Sequence, residues 1–148
     1  MGNVRIQVLF AVALVLSAAQ VADAATARQV GFRSFGAVRL GMNVAAVKGN
    51  EGVHFMLIDG RLARVDVEAT RVRTLSGIGL GATEASIRST YRGRVEESPH
   101  KYGGSESAYL TIYSRSRKHA IRFETEHGKV RYFYAGTAET VQYSEGCS

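Results

Sequence analysis

Apolar positions follow three different rhythms along this chain. Near the N-terminus they are continuous: Val8 to Leu16 is unbroken, and Ser17-Ala18-Ala19 extends the run. Arg5 precedes it, and the small residues Ala22 and Ala24 flank Asp23 at its end. A basic start, a short apolar stretch and a small-residue exit form the pattern of a secretory signal, with cleavage expected after Ala24. The run is shorter than the roughly 20 residues needed to span a bilayer. Residues 1–24 are expected to be removed, leaving 25–148 as one domain that is periplasmic or secreted.

The second rhythm is alternation. Ala63, Val65, Val67 and Ala69 alternate with Arg64, Asp66 and Glu68, which predicts a strand with one buried and one wet face. Val130, Tyr132 and Tyr134 alternate with Arg131, Phe133 and Ala135, so that strand is apolar on both faces and expected to be central. Ala108 to Tyr113 reads as a further apolar strand. Asp59-Gly60 and His127-Gly128 interrupt extended segments and signal hairpin turns.

The third rhythm is a short helix opened by a glycine. Val38-Arg39-Leu40-Gly41-Met42-Asn43 aligns with Ile78-Gly79-Leu80-Gly81-Ala82-Thr83, and a short helical stretch is expected after each. Asn43 and Thr83 stand where a side-chain oxygen can cap the first turn. The hairpin segments Phe55 to Leu62 and Phe123 to Val130 also align, in the same order. These matches predict an α+β domain of two helix-plus-β-hairpin repeats packed on an antiparallel sheet, with units at about 36–75 and 76–143.

A Leu-Gly turn before each helix resembles two families, the β-lactamase-inhibitor proteins and the small outer-membrane-assembly lipoproteins. The matching residues are Leu40-Gly41-Met42-Asn43 with Val47, and Leu80-Gly81-Ala82-Thr83 with Ile87 and Tyr91, within an architecture spanning Phe35 to Tyr143. The resemblance implies a secreted binding module without catalytic chemistry. The chain lacks the lipidated cysteine of one family and the paired cysteines of the other, so no binding residue carries over. It also resembles a group of small exported bacterial proteins through Arg39-Leu40-Gly41-Met42, Pro99-His100-Lys101-Tyr102 and Glu145-Gly146-Cys147. That likeness implies export and carries no activity with it.

Composition narrows the picture. The 148 residues are 45% apolar and 22% charged, which excludes a disordered chain, and one proline excludes proline-rich and collagen-like classes. Cys147 is the single cysteine and cannot form an internal disulfide. In an oxidising compartment it is expected to be a free thiol or an intermolecular disulfide linking a dimer. The net charge of +6 survives removal of residues 1–24, because Arg5 and Asp23 cancel. Fourteen of the 18 basic residues that remain are arginine.

Candidate chemistry is sparse. His54, His100, His119 and His127 have no helical two-histidine spacing, and no metal or cofactor is expected. The densest basic stretch comprises Arg115, Arg117, Lys118, Arg122, Lys129 and Arg131, with Tyr113, Tyr132 and Tyr134 interleaved. Arginine offers a planar fork and tyrosine a flat ring, a combination suited to binding surfaces. The expected function is therefore a non-enzymatic exported module that binds a protein or an anionic cell-envelope component, with nucleic acid not expected. The expected binding residues are Tyr109, Tyr113, Arg122 and Tyr132. The alternatives are a small hydrolase or metal-dependent enzyme using His100, His119 or Cys147, and a structural envelope protein.

Overall fold

Extended backbone dominates the described residues. The computed structural model describes residues 28–43 and 52–145. The expected secretory signal, the helix expected beyond Asn43, and Cys147 lie outside these residues. Three short strands open the described part: β1 (Gln29–Gly31), β2 (Ser34–Phe35) and β3 (Val38–Arg39). The hairpin β4 (Val53–Ile58) and β5 (Arg61–Val67) follows, then β6 (Arg73–Thr74). One α-helix among the described residues, α1 (Glu84–Thr90), precedes β7 (Val95–Pro99), β8 (Ser107–Tyr113), β9 (His119–Glu126) and β10 (Lys129–Thr137). A 3-10 turn at Thr140–Gln142 closes the described chain.

The strands form two sheets. The larger runs in the order β4-β5-β10-β9-β8-β7 and is antiparallel throughout. The smaller runs β3-β2-β1-β6, with β1 and β6 parallel. Leu110 and Ile112 on β8, Ile121 and Phe123 on β9, and Phe133 and Ala135 on β10 meet Ile87 and Tyr91 of the helix segment and Val30 and Phe35 of the small sheet in one cluster. Each fully buried aliphatic or phenyl side chain there contributes about 1.5–3 kcal/mol of transfer free energy. The helix starts where Thr83 accepts a hydrogen bond from the Ser86 N–H at 3.1 Å, and Glu84 suits the positive end of its dipole.

This architecture corrects the α+β repeat expectation. The fold is β-rich, with two sheets and a single seven-residue α-helix among the described residues. The aligned sequence stretches share turn chemistry instead of marking equivalent halves. Gly41 and Gly81 have φ of 84° and 78°, and Gly60 and Gly128 both have φ of 73°, a region that favours glycine. Two pairs of like glycine turns align in sequence, yet the first half supplies two strands to the large sheet and the second half four. A glycine or cap signal marks where an element starts and carries no information on how much of the chain is helical.

Two strand faces also differ from the alternation pattern. The register of β10 on β9 shifts between Val130 and Tyr132. This bulge places Val130 in the core with Phe133 and Ala135, and sends Tyr132 and Tyr134 to the opposite face. The polar side of β5 is covered as well: Arg64 is only 1% exposed.

Candidate functional site

The outer face of the large sheet is polar and aromatic. Strand pairing lines up Tyr109 with Glu124, and Thr111 with Arg122, across β8 and β9. It places Tyr132 opposite Glu124 and Tyr134 opposite Arg122 across β10 and β9, with Asp66 of β5 next to Tyr134. The chain after β10 folds back over part of this face. Val141 is fully buried there against Ala120 and Tyr134. Gly136 permits the close approach, because a Cβ at that position would lie 2.5 Å from the Ala63 carbonyl oxygen and 2.7 Å from Thr140 Oγ1.

Arg64 holds this cover down. Its Nε lies 2.6 Å from Asp66 Oδ1 and its Nη2 donates to Oδ2 at 3.0 Å, a two-point pair. Its Nη1 donates to the carbonyls of Thr140 and Tyr143, and its Nη2 to that of Glu145. The guanidinium also lies 4.5 Å from the Tyr134 ring centre. The loop after β7 meets the same tail: Lys101 Nζ donates to Ser144 Oγ at 3.1 Å and the Tyr102 hydroxyl to Glu145 Oε1 at 3.4 Å.

His100 anchors that loop to the sheet. Its ring stacks on Tyr109 with centroids 4.4 Å apart. Nδ1 accepts the backbone N–H groups of Tyr102 and Gly103, so Nε2 carries the proton and donates to Glu124 Oε2 at 3.0 Å. Both ring nitrogens are thereby committed, which leaves neither to take a proton from a nucleophile. His119 stands five residues along β9 from Glu124, about 16 Å away. His127 pairs with Glu106 at an exposed turn. No group of three metal-ligating side chains occurs among the described residues.

The four expected binding residues lie on this one face, in different states. Tyr109 is buried between His100 and Arg122, whose guanidinium is 4.8 Å from its ring centre. Arg122 is 6% exposed and is committed to Thr111 Oγ1 at 2.9 Å and to the Gln142 side-chain oxygen. It is a strut beneath the surface, not an exposed fork. Tyr113 is half-buried and its hydroxyl accepts from the Gln142 amide. Tyr132 is 44% exposed.

Sequence reasoning missed Arg64, Glu124 and Tyr143, and placed Tyr134 in the tyrosine-rich basic stretch without choosing it as a binding residue. Arg64 was hidden by its place on an alternating strand, where charge reads as a wet face. Tyr132, Tyr134, Tyr143, Glu124, Asp66 and Arg64 line a cleft of about 180 Å³. The hydroxyl of Tyr134 donates to Glu124 Oε1 at 3.0 Å. Burial, and then the Glu124 charge, push the pKa of both Tyr134 and Tyr109 upward.

A raised folded-state pKa means that neutral tyrosine favours folding. The contribution is complete below the unfolded value near 10 and is lost as pH rises above it. Thermal unfolding followed by tyrosinate absorbance is expected to show a melting temperature that drops above pH 10, with part of the tyrosine ionisation appearing only on unfolding. Ionisation of every tyrosine near pH 10 without unfolding would contradict this.

Comparison with protein-family models, curated proteins and solved structures finds no match. The functional reading therefore rests on the chain's own geometry.

Proposed function

We propose that this protein is an exported, non-enzymatic binding module and that the outer face of its large sheet recognises a protein partner. One observation carries the reading: six of the seven tyrosines collect on or beside that face, namely Tyr102, Tyr109, Tyr113, Tyr132, Tyr134 and Tyr143. Only Tyr91 sits in the main core. Tyrosine supplies large contact area with little side-chain entropy to lose, so it is enriched where proteins bind proteins. Tyr102, Tyr132 and Tyr143 are 64%, 44% and 41% exposed, while Tyr109 and Tyr134 are buried, against the His100 ring and bonded to Glu124 respectively. Side chains already held in place lose less freedom on association.

The charges on this face argue for a protein partner over a polyanion. Arg64 is neutralised by Asp66, and Arg122 is buried. Neither offers a free fork to phosphate or carboxylate.

Affinity capture from an envelope extract tests the proposal. A reproducible protein partner is expected, with capture by Tyr132→Ala reduced about tenfold, the scale of an interface anchor. Its melting temperature is expected to change little, because the ring is exposed. Capture of no reproducible partner, or equal capture by Tyr132→Ala and Tyr143→Ala, would overturn it.

A further inference from the structure

Basic residues from three separate turns gather near the β8–β9 turn, beside Tyr113. The β8–β9 turn carries Arg115, Arg117 and Lys118, the segment before β7 carries Arg94, and the β1–β2 turn carries Arg33. All five are exposed. Arg94, Arg115 and Arg117 line a cleft of about 310 Å³ with Tyr113, Ser114 and Glu96. Lys118 follows Arg117 in the same turn, and Arg33 follows Phe32, over whose ring the Arg94 guanidinium lies. Arg94 is positioned by its Nη2, which donates to the Tyr113 carbonyl at 2.6 Å.

Negative charge at this end is small. Glu96 pairs with Arg117 at 2.8 Å. Glu139 follows Ala138, whose N–H bonds the Lys118 carbonyl, but its carboxylate accepts from the Tyr143 hydroxyl. Arg33, Arg94, Arg115 and Lys118 make no carboxylate pair among the described residues.

The backbone sets Arg117 apart. Among the described residues, three other than glycine have positive φ: Asp59, His127 and Arg117. Asp and His are residue types that accept this region, whereas arginine has no such preference. At φ of 56°, a glycine would fit the turn with less strain. Arg117 thus keeps a charged side chain in the cleft at this position, paired with Glu96 and lying 4.1 Å from the Tyr113 ring centre.

We propose that this end of the molecule binds phosphodiester headgroups and seats the protein on an anionic lipid surface. The convergence of three turns makes a broad positive field, and the arginine forks match phosphate oxygens. The basic cleft borders the tyrosine face at Tyr113, but Arg94 and Arg115 lie outside the cleft lined by Tyr132 and Tyr143, so separate variants test the two.

The test uses the protein as its producing cell processes it, with co-sedimentation on vesicles of phosphatidylglycerol and phosphatidylcholine or of phosphatidylcholine alone. Binding is expected to the anionic vesicles only and to weaken as salt rises. The double variant Arg115→Glu/Lys118→Glu is expected to lose more than about 25-fold in partitioning, at about fivefold for each basic residue removed before repulsion by the new carboxylates is added. Arg117→Gly is the variant that separates folding from binding. It is expected to bind about fivefold less while its melting temperature stays level or rises, since glycine relieves the positive φ. Equal binding to neutral vesicles would overturn the proposal, as would unchanged binding by both variants. Chemical-shift changes at Arg94 and Arg115 with inorganic phosphate, without vesicle binding, would also reject the lipid surface as the source.

Discussion

Replacing Arg64 by alanine is expected to destabilise the protein by about 3–5 kcal/mol, the range for breaking a buried ion pair by removing one partner. The side chain is 2% exposed and Asp66 is 13% exposed, so alanine would leave a carboxylate largely out of water without its counter-charge. It would also strip donors from the carbonyls of Thr140, Tyr143 and Glu145. The tail that covers the sheet should therefore loosen before the rest unfolds. Equilibrium denaturation measures the loss, and amide exchange around Val141 reports the tail. The pair replacement Arg64→Met with Asp66→Leu is expected to cost much less, because no charge is left buried alone. A loss below about 1 kcal/mol for Arg64→Ala would mean that the pair behaves as a solvated one.

Phe123→Ala is expected to cost a similar amount, about 3–5 kcal/mol, by a different mechanism. Phe123 is fully buried on β9, with its ring centre 5.6 Å from that of Phe133 and 6.2 Å from that of Tyr91. It links the central strands to the helix segment, so its removal opens a cavity where both layers meet. Phe123→Leu keeps most of the volume and should recover much of the loss. If Phe123→Ala and Phe123→Leu were equally destabilising, ring contacts and not cavity volume would control the site. Denaturant midpoints of the two variants decide this.

Much of the local structure was legible in the residues. Asp59-Gly60 and His127-Gly128 join β4 to β5 and β9 to β10, because a tight turn between twisted strands needs positive φ. Thr83 caps a helix because its hydroxyl reaches an unpaired N–H. These are short-range effects of backbone geometry and do not need a tertiary partner. The proportion of helix was not legible: glycine turns and caps flank strands as readily as helices, and the small sheet of β1, β2, β3 and β6 uses strands of two or three residues, too short for a periodic pattern.

The candidate sites show the same division. Tyr109, Tyr113, Arg122 and Tyr132 share a face, and alternation alone suggests such a face. Which of them meets solvent depends on the fold-back after Thr137 and on the bulge near Arg131, neither of which leaves a periodic mark. Burial turned Arg122 into a strut and Arg64 into a clamp, while Tyr143 came to the surface from a segment with no strand pattern.

The sequence by itself determined the turns, the cap, the strand segments of the large sheet other than β7 and the excess of arginine, since each follows from residue type and near-neighbour spacing. Only the tertiary structure decided which charges are spent inside and which stay free. Arg64 and Arg122 are enclosed by the returning tail, whereas Arg33, Arg94 and Arg115 come from distant turns to one exposed end. The physical reason is that desolvation and charge clustering depend on distances through space, and residues far apart along the chain acquire those distances only when the sheet closes.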